Sequence, residues 1–135
     1  MRFKLLIIYL LLISCASTSS LDNRSSYNSK GFALIYNEDD YINKAIKIRL
    51  DNSKLQVAHN LLRANTLIKI INPKNKNAII VKNTKKTNFP DFYKILITKK
   101  IATRLQIDKD LPLVEILEIK KNKSFVAKKA KIFNE

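Results

Sequence analysis

Two residues of this chain have the types and the spacing for proton chemistry. Asp51 and His59 stand eight residues apart in "LDNSKLQVAH", and His59 is the only histidine. A carboxyl group and an imidazole can each give or take a proton. The same residues have plainer roles. Asp51-Asn52-Ser53 reads as a turn at the end of an extended segment. A lone histidine is also at home as a hydrogen-bonded structural side chain. Metal chemistry has no donor set here, because one histidine, one cysteine and scattered acids cannot supply the ligands. A single glycine in the whole chain leaves no phosphate-cradling loop, and no cofactor motif is present.

The elements that would position the pair follow from apolar patterning. The chain has 135 residues, enough for one small domain. Gly31 to Tyr36 is a short apolar run. Ala45 to Leu50 alternates between apolar and basic residues, which predicts a half-buried strand. Thr66 to Ile71 and Ala78 to Val81 flank Asn72-Pro73-Lys74-Asn75-Lys76-Asn77, which predicts a hairpin with that hexad as its loop. Tyr93 to Ile97 and Leu113 to Ile119 are further strands. Thr98 to Leu105 has helical spacing, with Ile101, Ala102 and Leu105 on one side and Thr98 as the N-cap. The pattern predicts an all-β fold with one short helix, a small six-stranded barrel or sandwich.

The N-terminus predicts export. Arg2 and Lys4 precede a nine-residue apolar run, Leu5 to Ile13, and small residues follow. That run is far shorter than the roughly 20 residues needed to span a bilayer. Leu12-Ile13-Ser14-Cys15 resembles the bacterial lipobox, in which the cysteine is acylated and becomes the mature N-terminus. The alternative is an ordinary signal cleaved after Ala16, which would discard Cys15. Acylation at Cys15 implies a stable membrane anchor. Ala16, where an aspartate would imply retention at the inner membrane, points to the outer membrane.

The expected organisation is a signal peptide over 1–14, a lipidated Ser-rich tether over 15–30, a barrel over 31–119 and a basic tail over 120–135. The formal net charge of +15 would suggest nucleic acid in a cytoplasmic protein. For an exported chain it points instead to lipid headgroups, lipopolysaccharide phosphates or peptidoglycan carboxylates. A chain heavy in Lys, Asn and Ile can also carry such a charge through composition alone.

The order of these elements resembles the rare lipoprotein A (RlpA) family over Asp51 to Ile116. "AHNLLRANTLIKIINPKNKNAIIV" (Ala58 to Val81) is similar, without gaps, to the family's Ala-His, Leu-Pro-x-Gly-Thr, strand, Asn-x-x-Asn-Gly, strand sequence. "FALIY" (Phe32 to Tyr36), "ITKKIATRL" (Ile97 to Leu105) and "LPLVEILEI" (Leu111 to Ile119) resemble the family's opening motif, its helix and its closing strand. Asn65 and Asn37 stand where the family has glycines, which implies positive φ at both.

The resemblance implies a six-stranded double-psi β-barrel and lytic transglycosylase activity on peptidoglycan glycan strands, with a 1,6-anhydromuramyl product. It implies Asp51 as the acid/base and His59 as its orienting partner. It also exposes departures. The family's Glu falls on Ile48, and two of its aspartates fall on Lys85 and Leu96. A cation such as Lys85 beside Asp51 would lower the aspartate's pKa. The resemblance therefore also admits a non-enzymatic peptidoglycan-binding or envelope-organising lipoprotein. Either reading implies a lipid-anchored protein at the periplasmic face of the outer membrane, with no nucleic-acid partner.

Overall fold

In the computed structural model, residues 25–120 are described; the signal, the lipobox at Cys15 and most of the basic tail lie outside them. Six strands close into a barrel: β1 (Asn28–Ile35), β2 (Val57–His59), β3 (Leu67–Ile71), β4 (Ala78–Lys86), β5 (Tyr93–Ile97) and β6 (Leu113–Ile119). Their order around the ring is β1-β5-β2-β4-β3-β6, with β6 paired back to β1. Two pairs are parallel, β1 with β5 and β2 with β4. The other four are antiparallel. Exchanging each strand for the one three places away in the chain reproduces the same ring, so the barrel has an internal two-fold pattern that interlaces the halves of the chain.

The hairpin is where its sequence predicts it. β3 and β4 pair from Leu67↔Lys82 to Ile71↔Ala78. Its loop is built by asparagines. The Asn72 carboxamide oxygen accepts from Lys74 N–H, Asn75 does the same for Asn77, and Lys76 takes φ 62° to close the turn. β-branched side chains fill the interior, with Val57, Ile68, Ile70, Ile95, Ile97, Val114 and Ile116 all buried in one cluster. The single glycine, Gly31, allows close packing: a Cβ there would lie 2.6 Å from Lys94 Cγ. Asn65 has φ 65°, as its place in a glycine position predicts.

Four expectations need correction. The alternating segment Ala45 to Leu50 is not a strand. Its period describes burial faithfully, since Ile46, Ile48 and Leu50 are buried and the residues between them are exposed. The segment spends that apolar face on the outside of the barrel, in a second cluster with Tyr36, Ala58, Phe89 and Leu96. The sixth strand is instead Val57–His59, three residues too short to show a period.

There are two helices rather than one. α1 (Glu38–Ile42) is capped by Asn37, whose side chain accepts from Asp39 N–H, and three acidic residues fill its first turn. Asn37 therefore has φ −122° and serves as a cap, not as a glycine substitute. α2 (Lys99–Arg104) follows Thr98 as expected, but the Thr98 hydroxyl does not cap it. It donates to Lys54 C=O at 2.7 Å and accepts from Gln56 N–H at 3.3 Å. Burial of Ile101, Ala102 and Leu105 against the barrel holds α2 in place.

Candidate functional site

Asp51 opens the loop that leads from the outer apolar segment back into β2. Each bond in this loop has a local cause. The Asp51 N–H donates to Gln56 Oε1 at 2.8 Å. Thr98 N–H donates to Gln56 C=O at 3.1 Å, and the Thr98 hydroxyl bond to Lys54 closes the other side. Asn52 ties the loop to both neighbours. Its amide donates to Tyr36 C=O at the end of β1, and its Oδ1 accepts from Lys99 N–H at the start of α2. A loop with polar side chains is thereby fixed against two elements.

The result is an open cleft of about 490 Å³ lined by Tyr36, Glu38, Arg49, Asp51, Asn52 and Gln56. It contains a second carboxylate that the sequence did not single out. The Tyr36 hydroxyl donates to Glu38 Oε2 at 2.7 Å, and Arg49 Nε lies 2.9 Å from Glu38 Oε1. Burial, together with the Glu38 carboxylate, holds the Tyr36 phenol above its ordinary pKa. No short-range pattern marks Glu38. It lines the same cleft as Asp51, held by Tyr36 and Arg49.

The Asp51 carboxylate is a hydrogen-bond acceptor in an exposed position. Oδ1 accepts from Ser53 N–H at 2.9 Å and from the Ser53 hydroxyl at 2.6 Å. Lys54 Nζ lies 3.6 Å from Oδ2. The Ser53 bonds, with Lys54 adding a smaller effect, lower the Asp51 pKa. The cation beside Asp51 is therefore Lys54. Lys85 pairs with Ala58 in the β2·β4 ladder instead.

His59 is held apart from Asp51. Alternation along β2 puts Val57 and His59 on one side, and Val57 belongs to the interior cluster. Ala58 faces the outer cluster beneath the cleft. The His59 side chain is fully buried. Its Nδ1 accepts from Leu61 N–H at 3.0 Å and Leu62 N–H at 3.2 Å. Two donors on Nδ1 put the ring proton on Nε2, which is buried with no hydrogen-bond partner. Desolvation pushes the imidazole down to about 4. These bonds shape the turn after β2; they do not reach Asp51.

The departures at Ile48 and Leu96 meet in space. Both are buried, and both belong to the outer cluster with Tyr36 and Leu50. Where the resemblance expects two acids, this chain has two buried members of one apolar cluster. Among the described residues no group of three His, Cys, Asp or Glu side chains could hold a metal ion. No protein-family model and no curated protein matches the chain.

Proposed function

We propose that this chain is an exported lipoprotein whose barrel holds peptidoglycan glycan strands at the Asp51 cleft. The state of Asp51 carries the reading. Two donors from Ser53 and the nearby Lys54 keep its carboxylate ionised and exposed. An ionised acceptor suits sugar hydroxyl and acetamide N–H donors, whereas the first step of a lytic transglycosylase needs a protonated acid. Tyr36, Glu38, Arg49, Asn52 and Gln56 add the mixed donors and acceptors that recognise a saccharide edge. The two parallel strand pairs suit the double-psi winding that the resemblance implies. In this reading the chain is anchored through Cys15 at the periplasmic face of the outer membrane.

One observation favours endolytic transglycosylation as the second reading. Glu38 brings a second carboxylate into the cleft with Asp51, so the acid missing at Ile48 has a spatial replacement. A single incubation separates the two. The full chain is mixed with sacculi stripped of stem peptides, then pelleted, and the supernatant is searched by mass spectrometry for anhydro-muropeptides. Co-sedimentation that Asp51→Asn weakens, without anhydro products, is the expected result. Anhydro products lost in Asp51→Asn would establish turnover. No pelleting and no products would overturn both.

A further inference from the structure

Three depressions lie beside strand β1, two lined by its outward residues Phe32 and Leu34 and one by Tyr36 just beyond its end. Tyr36 lines the Asp51 cleft. Leu34 lines a smaller hollow of about 270 Å³ with Asp40, Ile46 and Tyr93. Phe32 lines a third, of about 360 Å³, with Phe92, Tyr93, Lys109, Asp110 and Leu111. Outward residues of a strand recur about every 7 Å, so the line from Phe32 to Tyr36 is about 13 Å long. Tyr93 borders both the second and third hollows, so these two adjoin.

The far end of this line is aromatic. The Phe92 ring stacks on Phe32 with centroids 5.1 Å apart and planes 11° from parallel. The Tyr93 ring meets Phe92 at 87°. Phe92 nevertheless keeps 65% of its surface exposed. One face of the ring is used by Phe32. Interior cohesion does not require this ring to lie open, since Phe92 belongs to neither buried cluster.

We infer that Phe92, backed by Phe32, is a ring-stacking subsite for a hexosamine of a glycan strand whose other end lies in the Asp51 cleft. The inference rests on the glycan-holding reading of that cleft. A pyranose has an apolar C–H face that packs on an aromatic ring and a polar rim that needs donors and acceptors. The hollow offers both, an aromatic floor and a rim of Lys109 and Asp110. The separation of about 13 Å between Phe32 and Tyr36 is within the reach of a short oligosaccharide laid from the hollow to the cleft. A protein partner fits less well. Phe92 and Leu111 are the exposed large apolar residues of this hollow, far short of the roughly 1,000 Å² that a stable interface buries.

The chain contains no tryptophan, so Phe92→Trp places a single indole at the subsite of the full-length protein. The probes are peptide-free glycan fragments, a disaccharide and a hexasaccharide. The expected result is that the hexasaccharide shifts or quenches the indole emission of the Phe92→Trp variant. In the parent protein it should also bind about tenfold more tightly than the disaccharide. Phe92→Ala should collapse that advantage, with an unchanged melting temperature showing that the fold is intact. If the advantage persists in Phe92→Ala, the subsite is wrong while the cleft reading stands. If the parent binds neither fragment, both are wrong. If the indole emission changes with protein concentration alone and sedimentation shows a dimer, the face belongs to a second copy of the chain and the subsite is overturned.

Discussion

The Tyr27 ring stands edge-on to the His59 imidazole, with centroids 4.7 Å apart and planes at 80°. Tyr27 is fixed there from both sides of its backbone. Its N–H donates to Glu118 Oε2 at 2.9 Å, and its C=O accepts from Glu118 N–H at 2.8 Å. A residue that precedes β1, clamped to the last strand, thus closes the end of the barrel over a neutral histidine.

That closure predicts a pH dependence of stability. In the folded protein His59 titrates at about 4, below the ordinary 6.5. The unfolded chain therefore takes up a proton first as pH falls. Its contribution to stability is complete above about pH 7 and declines as pH drops from 6.5 toward 4. The linkage amounts to about 2 kcal/mol lost between about pH 7.5 and 5. Urea denaturation at those two pH values measures it, and His59→Gln should remove most of the difference.

Asp51 has the opposite character, because its pKa is lowered by bonds that Ser53 donates. Ser53→Ala removes the 2.6 Å hydroxyl bond and should raise the Asp51 pKa toward the usual aspartate range. Carboxyl chemical shifts followed by NMR through an acid titration report this directly. If Asp51 serves as an ionised acceptor, glycan binding by the parent should be flat from about pH 8 to 5. A rise in binding or cleavage on acidification in that range would instead mark Asp51 as a proton donor.

Two buried asparagines hold the loops at the barrel ends. Asn83 Nδ2 donates to Leu62 C=O at 2.8 Å and Arg63 C=O at 3.1 Å. Asn72 Nδ2 donates to Leu105 C=O and Gln106 C=O, both at 3.0 Å. Replacing either by Ala removes one bond to a buried carbonyl, that of Leu62 or Leu105, and one to its more exposed neighbour, and should cost about 2 kcal/mol. The losses should add within a few tenths in the double variant if the two loops behave independently. Thermal or urea unfolding of the three variants checks both statements.

Restoring the expected glutamate should not restore a site. Ile48 lies in the outer cluster with Leu50 and Leu96. Ile48→Glu would place a carboxyl among them, at a cost of about 3 kcal/mol. The cost should grow when Leu96→Asp is added, since a second carboxyl would be desolvated in the same cluster beside the first. Denaturation midpoints of the single and double variants decide this.

The barrel was legible in the sequence wherever a segment was long enough to show its period. The β3–β4 hairpin, with asparagines at both ends of its loop, is the clearest case. Ala45 to Leu50 shows the limit of that reasoning. Its alternation reports which side chains are buried, and burial against the outside of a barrel looks the same as burial in a ladder. Val57–His59 could not be identified as a strand, because its three residues are all buried. The Asp51–His59 spacing suggests a pair, yet alternation along β2 turns His59 inward, away from the Asp51 cleft. Glu38 carries no local signal, since it joins the cleft only through its bonds to Tyr36 and Arg49.

The pairing of β1 also determines how the molecule bears load. Asn28 lies opposite Leu117, so the first and last strands meet at one end of the barrel. A pull between those two ends would peel β1 from β6 one residue pair at a time, and little force would be needed. A pull on Asn28 against a ligand gripped near Tyr36 runs along the strand instead. It loads the β1·β6 and β1·β5 ladders together, in shear. Tension entering from the N-terminal side and leaving through the cleft would therefore meet the barrel in its mechanically stiff direction.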